Sequence, residues 1–493
     1  MTTNYVAMDL GAESGRAVVG AFDGARLALR IVHRFPNRPV RVAGHLHWDA
    51  LRLFDEIRNG LDLAAREYGE IASVGVDTWG VDYGLLDRTG ALIGNPFHYR
   101  DHRTDEMMAQ VFARIPRQDI FARTGIQFMK LNTLYQLAAA ANTPALEAAQ
   151  RLLMMPDLFN YWLSGEIAGE FTIATTTQFY DPRHRVWATD LLDGLGIPAR
   201  ILPPVIQPAT RVGGLLAGHA EHPGLRRTQV IAPACHDTGS AIAAIPARSA
   251  RFAYISSGTW SLLGAVVAEP VLTEAAYRFD FTNEGGVDGS FRLLKNITGL
   301  WLIQECRRAW MREGAELSYD TLVGLAAQAR PFLASIDPDD PVFSAPDDMP
   351  RAIQDYCAAS GQAIPEDRGA IVRVALESLA LKYRATLDKL EAILGYRVEA
   401  IHVVGGGSQN RMLCQFSADA CARPVFAGPV EATAIGNLMA QAIGNGDCAS
   451  WAQARQIVQA TFSPILYEPR ETSPWETAYA RAAAVFAARA AIS

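Results

Sequence analysis

The sequence predicts an α/β protein made of two large domains. With 493 residues the chain is too long for one compact core, and about 150 residues per domain allows two large domains or three smaller ones. Buried strands followed by helical patterns occur in both halves of the chain. A composition of 49% hydrophobic and 20% charged residues is typical of a globular protein that buries substantial cores.

The first half opens with three strands in succession. The predicted elements are strands over residues 5–10, 16–22 and 25–35, a helix over 48–68 and a further strand over 72–76. The second and third strands form a hairpin about Asp23-Gly24. A strand, a hairpin, a helix and a strand in this order are typical of the opening of a ribonuclease-H-like α/β domain.

The second half repeats this order. Its predicted elements are strands over 252–255 and 261–267, a helix over 368–394 and a strand over 400–404. We therefore expect two ribonuclease-H-like domains with a cleft between them, residues 1–245 and 246–493, divided at Pro246. The segment 335–365 is rich in Asp and Pro, which predicts a surface excursion.

Charge and composition narrow the class of function. A net charge of -7 argues against a nucleic-acid or membrane-surface role, since such a role normally needs a basic face. The first residues show no pattern of a signal peptide, and no apolar run reaches the ~18 residues of a membrane span. Six cysteines without a C-x-x-C pair predict reduced thiols. The expected location is the cytoplasm.

Two turns near the middle of the chain carry the strongest chemical signal. The first, at residues 235–240, contains Asp237 among small residues, and the second, at 256–261, is rich in Ser, Thr and Gly. Glycine and hydroxyl residues suit a turn that holds a phosphate, and an acid beside it can act as a base. Both sequences also occur in ordinary turns.

The turn after the first strand is a candidate metal and phosphate site. Asp9 ends that strand and Gly11 follows it. A carboxylate there can hold hydrated Mg²⁺, while glycine lets a phosphate approach. The turn contains no Walker sequence, and a plain hairpin turn would explain it equally well.

Three further turns carry polar or glycine-rich sequences. In residues 75–82, Asp77, Thr78 and Trp79 would supply acceptors and an aromatic face to a sugar, or form a local turn. Asn296 would contact a ligand or cap the following helix. Residues 405–407 are three glycines in a row, which chain entropy makes costly as structure alone, so they favour contact with a nucleotide.

Taken in order, these turns resemble those of the FGGY carbohydrate kinases, a family of the actin-like ATPase superfamily. The resemblance extends from about Tyr5 to the final helix. It also includes the motifs at residues 99–101, 155–157, 175–178, 283–286, 295–301 and 428–432. Within the family, these motifs most resemble those of the members that act on L-rhamnulose.

The resemblance implies transfer of the γ-phosphate of ATP to O1 of L-rhamnulose in L-rhamnose catabolism, with Mg²⁺ required. It implies that Asp237 accepts the proton and that Asp9 orients the metal. The implied ketose contacts are Gly80, His236, Asp237, Thr238 and Asn296, and the implied ATP contacts are Ala12, Glu13, Ser14, Gly15, Arg16, Thr259, Gln304 and Gly406. Glu13 departs from the small hydroxyl residue that many relatives have, and its charge would repel a polyphosphate.

Other functions remain open at this point. The chain would act on another ketose such as L-fuculose, or it would be a non-metabolic actin-like ATPase, although a filament has no evident need for a sugar pocket. A sugar-responsive regulator would need a DNA-binding module, which the sequence does not reveal. We expect a monomer or homodimer whose partners are the ketose and ATP, with neither nucleic acid nor membrane.

Overall fold

The computed structural model of the protein describes residues 2–490, which form two compact units. The first unit takes the chain up to Pro246 together with Val266–Leu293 and Ala432–Phe462. The second takes Ala247–Ala265, Leu294–Glu431 and the chain from Ser463 on. The division of tasks between residues 1–245 and 246–493 stays a prediction, and residues 491–493 lie outside the described part.

Strands make up the two central sheets and several short ribbons. Within residues 2–490 they are β1 Thr3–Leu10, β2 Ser14–Phe22, β3 Leu27–Pro36, β4 Val40–Val42, β5 His45–His47, β6 Ser73–Thr78, β7 Tyr83–Leu86, β8 Arg151–Met154, β9 Gly169–Glu170, β10 Tyr180–Asp181, β11 Val186–Trp187, β12 Val205–Ile206, β13 Thr210–Gly214, β14 Gln229–Ala232, β15 Phe252–Ser257, β16 Trp260–Val267, β17 Thr282–Gly285, β18 Phe291–Thr298, β19 Ala400–Val404, β20 Val425–Ala427 and β21 Ile465–Tyr467. The first four predicted strands correspond to β1, β2, β3 and β6.

Helices cover and connect the sheets. In the same residues they are α1 Ala50–Tyr68, α2 Met107–Phe112, α3 Arg117–Thr124, α4 Thr133–Ala140, α5 Pro144–Ala148, α6 Met155–Ser164, α7 Phe171–Ala174, α8 Thr189–Leu195, α9 Asp237–Ala243, α10 Glu274–Arg278, α11 Trp301–Arg312, α12 Tyr319–Gln328, α13 Met349–Ala359, α14 Arg368–Leu394, α15 Arg411–Cys421, α16 Ala432–Asn445, α17 Trp451–Thr461 and α18 Thr472–Ala490. Of these helices, none is long and apolar enough to cross a membrane. The predicted helix 368–394 and strand 400–404 are confirmed as α14 and β19.

The sheet of the first unit has the strand order β13-β14-β6-β1-β2-β3. Strand β1 pairs antiparallel with β2 and parallel with β6. In this register Asp9 lies opposite Arg16 on one side and Asp77 on the other. Because β1 and β6 run in parallel, their carboxyl ends bring these two carboxylates to the same edge of the sheet.

Helix α1 shows why the predicted pattern folds against this sheet. Its buried residues Leu53, Ile57 and Leu61 recur every four positions and share a core with Val6 and Met8 of β1. Such spacing places them on one face of a helix. This packing fixes the strand whose end carries Asp9.

The sheet of the second unit contains the strands β16-β15-β19-β20-β21 in this order. Strand β15 pairs antiparallel with β16 and parallel with β19. The turn between β15 and β16 and the turn after β19 therefore leave the sheet at the same edge. These are the predicted phosphate turn and the three-glycine turn.

The prediction for segment 335–365 was wrong in one respect. Helix α13 lies within it and buries Met349, Ile353 and Cys357. These residues are four positions apart, so they share one helical face. The Asp and Pro residues that suggested an exposed excursion include Asp348, whose side chain caps the helix by accepting a hydrogen bond from the Arg351 N–H.

Helix α16 joins the first unit through a buried polar ladder. Gln441 Nε2 donates to the Val6 carbonyl at 2.9 Å, and Asn437 Nδ2 donates to the Gly75 carbonyl at 3.1 Å. At the residue before Asn437, a Cβ atom on Gly436 would lie 1.9 Å from the carbonyl oxygen of Ser240 in α9. The absence of a side chain at Gly436 therefore lets α16 and α9 approach.

We predict that Gly436→Ala lowers the free energy of unfolding by roughly 3 kcal/mol, because backbone must move to admit the methyl group. The matched control is Gly324→Ala in α12, where a Cβ atom meets nothing within 4 Å. That change should raise stability by up to about 1 kcal/mol through helix propensity. Thermal unfolding followed by circular dichroism measures both, and equal melting temperatures would contradict the prediction.

Candidate active site

Asp9 forms a buried ion pair at the end of β1. The Nε and Nη2 atoms of Arg16 donate to its Oδ2 atom at 2.9 and 2.7 Å. Asp9 is 5% exposed, and β1–β2 pairing places the two residues opposite each other. Arg16, predicted to contact ATP, thus also holds the predicted metal ligand in place.

The turn between β1 and β2 presents small and exposed residues. Ala12 is half-buried, whereas Glu13 and Ser14 are exposed. A Cβ atom at Gly15 would lie 2.3 Å from the ring of Phe35, so packing against this ring favours glycine there. Glu13 is at a solvent-accessible position, where its charge is less costly next to a phosphate than it would be in the core.

Asp77 is a second carboxylate at this edge of the sheet. It is fully buried, its Oδ2 atom accepts a hydrogen bond from Asn437 Nδ2 at 2.6 Å, and its Oδ1 atom has no hydrogen-bond partner among the described residues. Burial first, and then the charges of Asp9 and Asp237, raise the pKa of Asp77 well above its usual value. Three carboxylates are therefore close enough to repel one another.

Asp237 begins helix α9 directly after the turn that follows β14. The backbone of this turn is tied to the end of β6, since the Thr78 N–H donates to the Cys235 carbonyl at 2.9 Å. Asp237 Oδ1 accepts from the Thr238 N–H at 2.5 Å and from the Thr238 hydroxyl at 3.1 Å. The Asp237 side chain is 29% exposed, so the carboxylate is oriented and still accessible.

The pKa of Asp237 is raised, because the effect of burial exceeds the opposite effect of neighbouring His236. The His236 Nε2 atom lies 3.5 Å from Asp237 Oδ1. A carboxylate with a raised pKa is a stronger base than an ordinary aspartate. The structure thus combines orientation, access and basicity in the predicted proton acceptor.

Gly80 lies beside this pair. A Cβ atom there would be 3.4 Å from His236 Nε2 and 3.3 Å from Thr176 Cγ2. Any side chain at Gly80 would extend into the space next to His236. The predicted ketose contacts Gly80, His236, Asp237 and Thr238 are therefore neighbours in the first unit.

The interpretation of Trp79 as an open aromatic face was wrong. Its ring is 5% exposed and packs on Trp48 with centroids 4.0 Å apart. Both indole N–H groups donate to Asp82 Oδ2, at 2.6 Å from Trp48 and 2.9 Å from Trp79. Burial raises the pKa of Asp82 to about 6. The Asp82 N–H donates to the Gly80 carbonyl at 2.9 Å, which ties this cluster to the backbone of Gly80.

Glu170, which the sequence did not single out, anchors the turn before Asp237. Its carboxylate accepts from the N–H groups of Thr172, Ile173 and Cys235 at 2.9, 3.2 and 3.0 Å, and from the Thr172 hydroxyl. Cys235 is fully buried, and burial raises the pKa of its thiol. This cysteine therefore lacks the thiolate character that reactivity needs.

Glu284 and Arg292 are further residues that the sequence did not single out as candidates. Both are buried and lie against His236. Glu284 belongs to the motif at residues 283–286, which carried no role in our prediction. Arg292 had no signal beyond being a charged residue between Phe291 and Leu293 in strand β18.

In the second unit, packing explains two of the three glycines after β19. Gly405 has a φ of 80°, and a Cβ atom there would lie 3.0 Å from the Ser257 carbonyl oxygen. At Gly407 a Cβ atom would lie 2.0 Å from Ser257 Oγ. Gly406 is exposed, and a Cβ atom there meets nothing within 4 Å. Of the three glycines, Gly406 is therefore the one for which contact with a nucleotide stays the prediction.

The other predicted residues of the second unit are Thr259 in the β15–β16 turn, Asn296 in β18 and Gln304 in α11. The Thr259 carbonyl accepts from the Gly299 and Trp301 N–H groups at 3.0 and 3.2 Å, which ties the start of α11 to this turn. Gln304 lies one turn further along α11, and its buried Oε1 atom has no partner among the described residues. Asn296 lies inside β18, so it is not a helix cap.

Family models and relatives agree on the class of protein. Residues 4–244 match the N-terminal domain and residues 253–444 the C-terminal domain of the FGGY family of carbohydrate kinases. The chain belongs to the FGGY family of carbohydrate kinases. It is thus a sugar kinase that uses ATP.

Particular relatives are similar over nearly the whole chain. A rhamnulokinase from Bacteroides thetaiotaomicron is 44% identical over 481 residues, which cover 97% of this chain and 98% of that protein. A rhamnulokinase from Pectobacterium atrosepticum is 42% identical, with 95% and 94% covered.

Solved structures share the fold, which confirms the predicted fold class. A gluconate kinase from Lactobacillus acidophilus has a TM-score of 0.82 at 16% identity, with 100% of this chain and 99% of that chain covered. A glycerol kinase from Plasmodium falciparum with ADP has a TM-score of 0.77 at 15% identity, with 98% of both chains covered.

We predict that Glu170→Gln lowers the free energy of unfolding by about 2 kcal/mol or more, because an amide N–H₂ would face a backbone donor in either orientation. Both carboxylate oxygens now accept backbone N–H groups. The matched control is Glu166→Gln, at an exposed position. Chemical denaturation measures both, and an equal effect of the two changes would contradict the prediction.

Proposed function

We propose that this enzyme transfers the γ-phosphate of ATP to O1 of L-rhamnulose, giving L-rhamnulose 1-phosphate in L-rhamnose catabolism. The observation that carries the proposal is the grouping of Gly80, His236 and an accessible Asp237, in a chain 44% identical to a rhamnulokinase. We propose a cytoplasmic location, where ATP is available. We expect a monomer or a homodimer.

Asp237 acts as the base in this proposal. Its carboxylate accepts the proton of the O1 hydroxyl while O1 forms a bond to the γ-phosphorus and the bond from that phosphorus to ADP breaks. Thr238 orients the carboxylate through Oδ1. The raised pKa of Asp237 makes it a better acceptor for the proton.

The edge of the sheet fits Mg²⁺. Asp9, Asp77 and Asp237 offer hard oxygen ligands, and Asp77 Oδ1 lacks a hydrogen-bond partner within residues 2–490. The mutual repulsion of the three carboxylates would be relieved by a cation. We assign Asp9 to the metal. When bound, Mg²⁺ would neutralise charge on the phosphates.

The ATP contacts are proposed in both units. In the first they are the turn residues Ala12, Glu13, Ser14, Gly15 and Arg16, and in the second they are Thr259, Gln304 and Gly406. The open space at Gly406 and the unpartnered Gln304 Oε1 support the second set. Asn296 and the four neighbours in the first unit are proposed to contact the ketose.

A coupled kinase assay tests the substrate. The purified enzyme, ATP and Mg²⁺ are supplied with L-rhamnulose, L-fuculose, xylulose, ribulose or glycerol, and we expect the highest kcat/KM with L-rhamnulose. A higher value for L-fuculose would overturn the assignment of the ketose. ATP hydrolysis that is equally fast without sugar would instead indicate a non-metabolic ATPase.

We predict that Asp237→Asn lowers kcat by about 10²- to 10⁴-fold, the usual contribution of a general base. The amide keeps the shape of the side chain, so dissociation constants for ATP and ketose, measured by calorimetry, should change little. Asp62→Asn on α1, where the carboxylate only pairs with Arg66 on the helix surface, is the control. Turnover near that of the wild type would exclude Asp237 as the base.

A further inference from the structure

A buried charged group lies directly behind the proposed base. His236, Glu284 and Arg292 are only 7%, 6% and 1% exposed. Glu284 Oε2 lies 3.1 Å from His236 Nδ1 and 3.0 Å from Arg292 Nη2. Arg292 Nη2 also lies 3.0 Å from His236 Nδ1. The Nδ1 side of the imidazole, which faces away from Asp237, is thus next to the carboxylate of Glu284 and the guanidinium of Arg292.

Because arginine can only donate hydrogen bonds, its contact with His236 limits which ring nitrogen carries the proton. A guanidinium group has donors and no acceptor. A hydrogen bond between Arg292 Nη2 and His236 Nδ1 therefore requires Nδ1 to be the acceptor. In a neutral ring the proton then lies on Nε2, the atom 3.5 Å from Asp237 Oδ1.

Arg292 itself has little freedom to move. Its Nε atom donates to the Gly285 carbonyl at 2.9 Å, and Glu284 balances its charge at 3.0 Å. Although burial opposes ionisation of Glu284, the charge of Arg292 holds its pKa below the usual value. The guanidinium is therefore held by the Gly285 carbonyl at Nε and by Glu284 at Nη2, and the same Nη2 group reaches the imidazole.

Stability alone does not account for this arrangement. A buried ion pair costs desolvation, and apolar residues of similar volume often replace it without loss. Glu284 Oε2 and Arg292 Nη1 are buried and lack a hydrogen bond of good geometry among the described residues, so the cost is only partly offset. A buried charged group whose cost is only partly offset, placed next to His236, points to a functional role.

We propose that Arg292, held by Glu284, is a positioning residue that fixes His236 in the tautomer with its proton on Nε2, so that the ring presents one donor toward Asp237 and the ketose. The proposal rests on the function proposed above. It adds two residues that act through His236 without touching the substrate. Loss of Arg292 would leave the ring free to carry its proton on Nδ1.

Nitrogen NMR of the enzyme labelled with ¹⁵N-histidine tests the tautomer directly. The spectrum of His236→Gln identifies the signals of His236 by difference. In the neutral ring of the wild type, Nε2 should be protonated and Nδ1 unprotonated. Signals of an Nδ1–H tautomer in the wild type would overturn the proposal without the use of any Arg292 variant.

Variants of Arg292 connect the tautomer with catalysis. Arg292→Met keeps the length of the side chain and removes the donors, so the His236 signals should become those of a mixture. We expect kcat/KM for the ketose to fall by roughly 10- to 100-fold, as for the loss of a hydrogen bond to a charged group. Arg292→Lys keeps one donor and should recover part of both effects.

Arg185→Met is the matched control. Arg185 donates to the Gly289 carbonyl at 2.8 Å, in the turn between β17 and β18, and is exposed to solvent. It should leave both the His236 signals and kcat/KM unchanged. Wild-type His236 signals and wild-type kcat/KM in Arg292→Met, or in Arg292→Lys if the first variant does not fold, would overturn the proposal.

The two proposals fail in different ways. The NMR measurement uses the free enzyme and does not depend on which ketose is phosphorylated. If L-rhamnulose is a poor substrate, kcat/KM is measured with the best ketose of the panel. The expected His236 signals would then support the role of Arg292 while the substrate assignment fails.

Discussion

The gathering of three carboxylates at one edge of a sheet is the constraint on which the rest of the first unit depends. Parallel pairing of β1 and β6 places Asp9 beside Asp77, and the turn after β14 adds Asp237. Their repulsion is costly in a buried place. Arg16 pairs with Asp9, and an amide from α16 donates to Asp77. The same crowding makes the place suitable for a cation.

Around this centre, buried polar groups orient backbone and side chains in addition to adding stability. The carboxylate of Glu170 holds the turn before Asp237 by accepting a hydrogen bond from the Cys235 N–H. The carboxylate of Asp82 accepts hydrogen bonds from the indole N–H groups of Trp48 and Trp79. Arg292 reaches His236 from the opposite side. Glu170 and Asp82 accept hydrogen bonds from donors that would otherwise be unpaired in the core, whereas Arg292 donates a hydrogen bond to His236.

Sequence patterns predicted the elements better than the surroundings of the side chains. Helix α14 and strand β19 appeared at their predicted residues, because apolar periodicity is local. Trp79 seemed available to a sugar, yet its ring is covered by Trp48, a residue about thirty positions away. Likewise Gly405 and Gly407 owe their identity to contact with Ser257, on another strand. Contacts between distant residues leave no local pattern.

By itself, the sequence determined the α/β class, the order of strands and helices, and the motifs that carry Asp9, Gly80 and Asp237. These follow from periodicity and turn chemistry, which act over a few residues. Only the tertiary structure decided which groups surround these residues, such as Glu170, Glu284 and Arg292. The reason is physical: burial, charge pairing and pKa depend on the groups that folding brings together from distant parts of the chain.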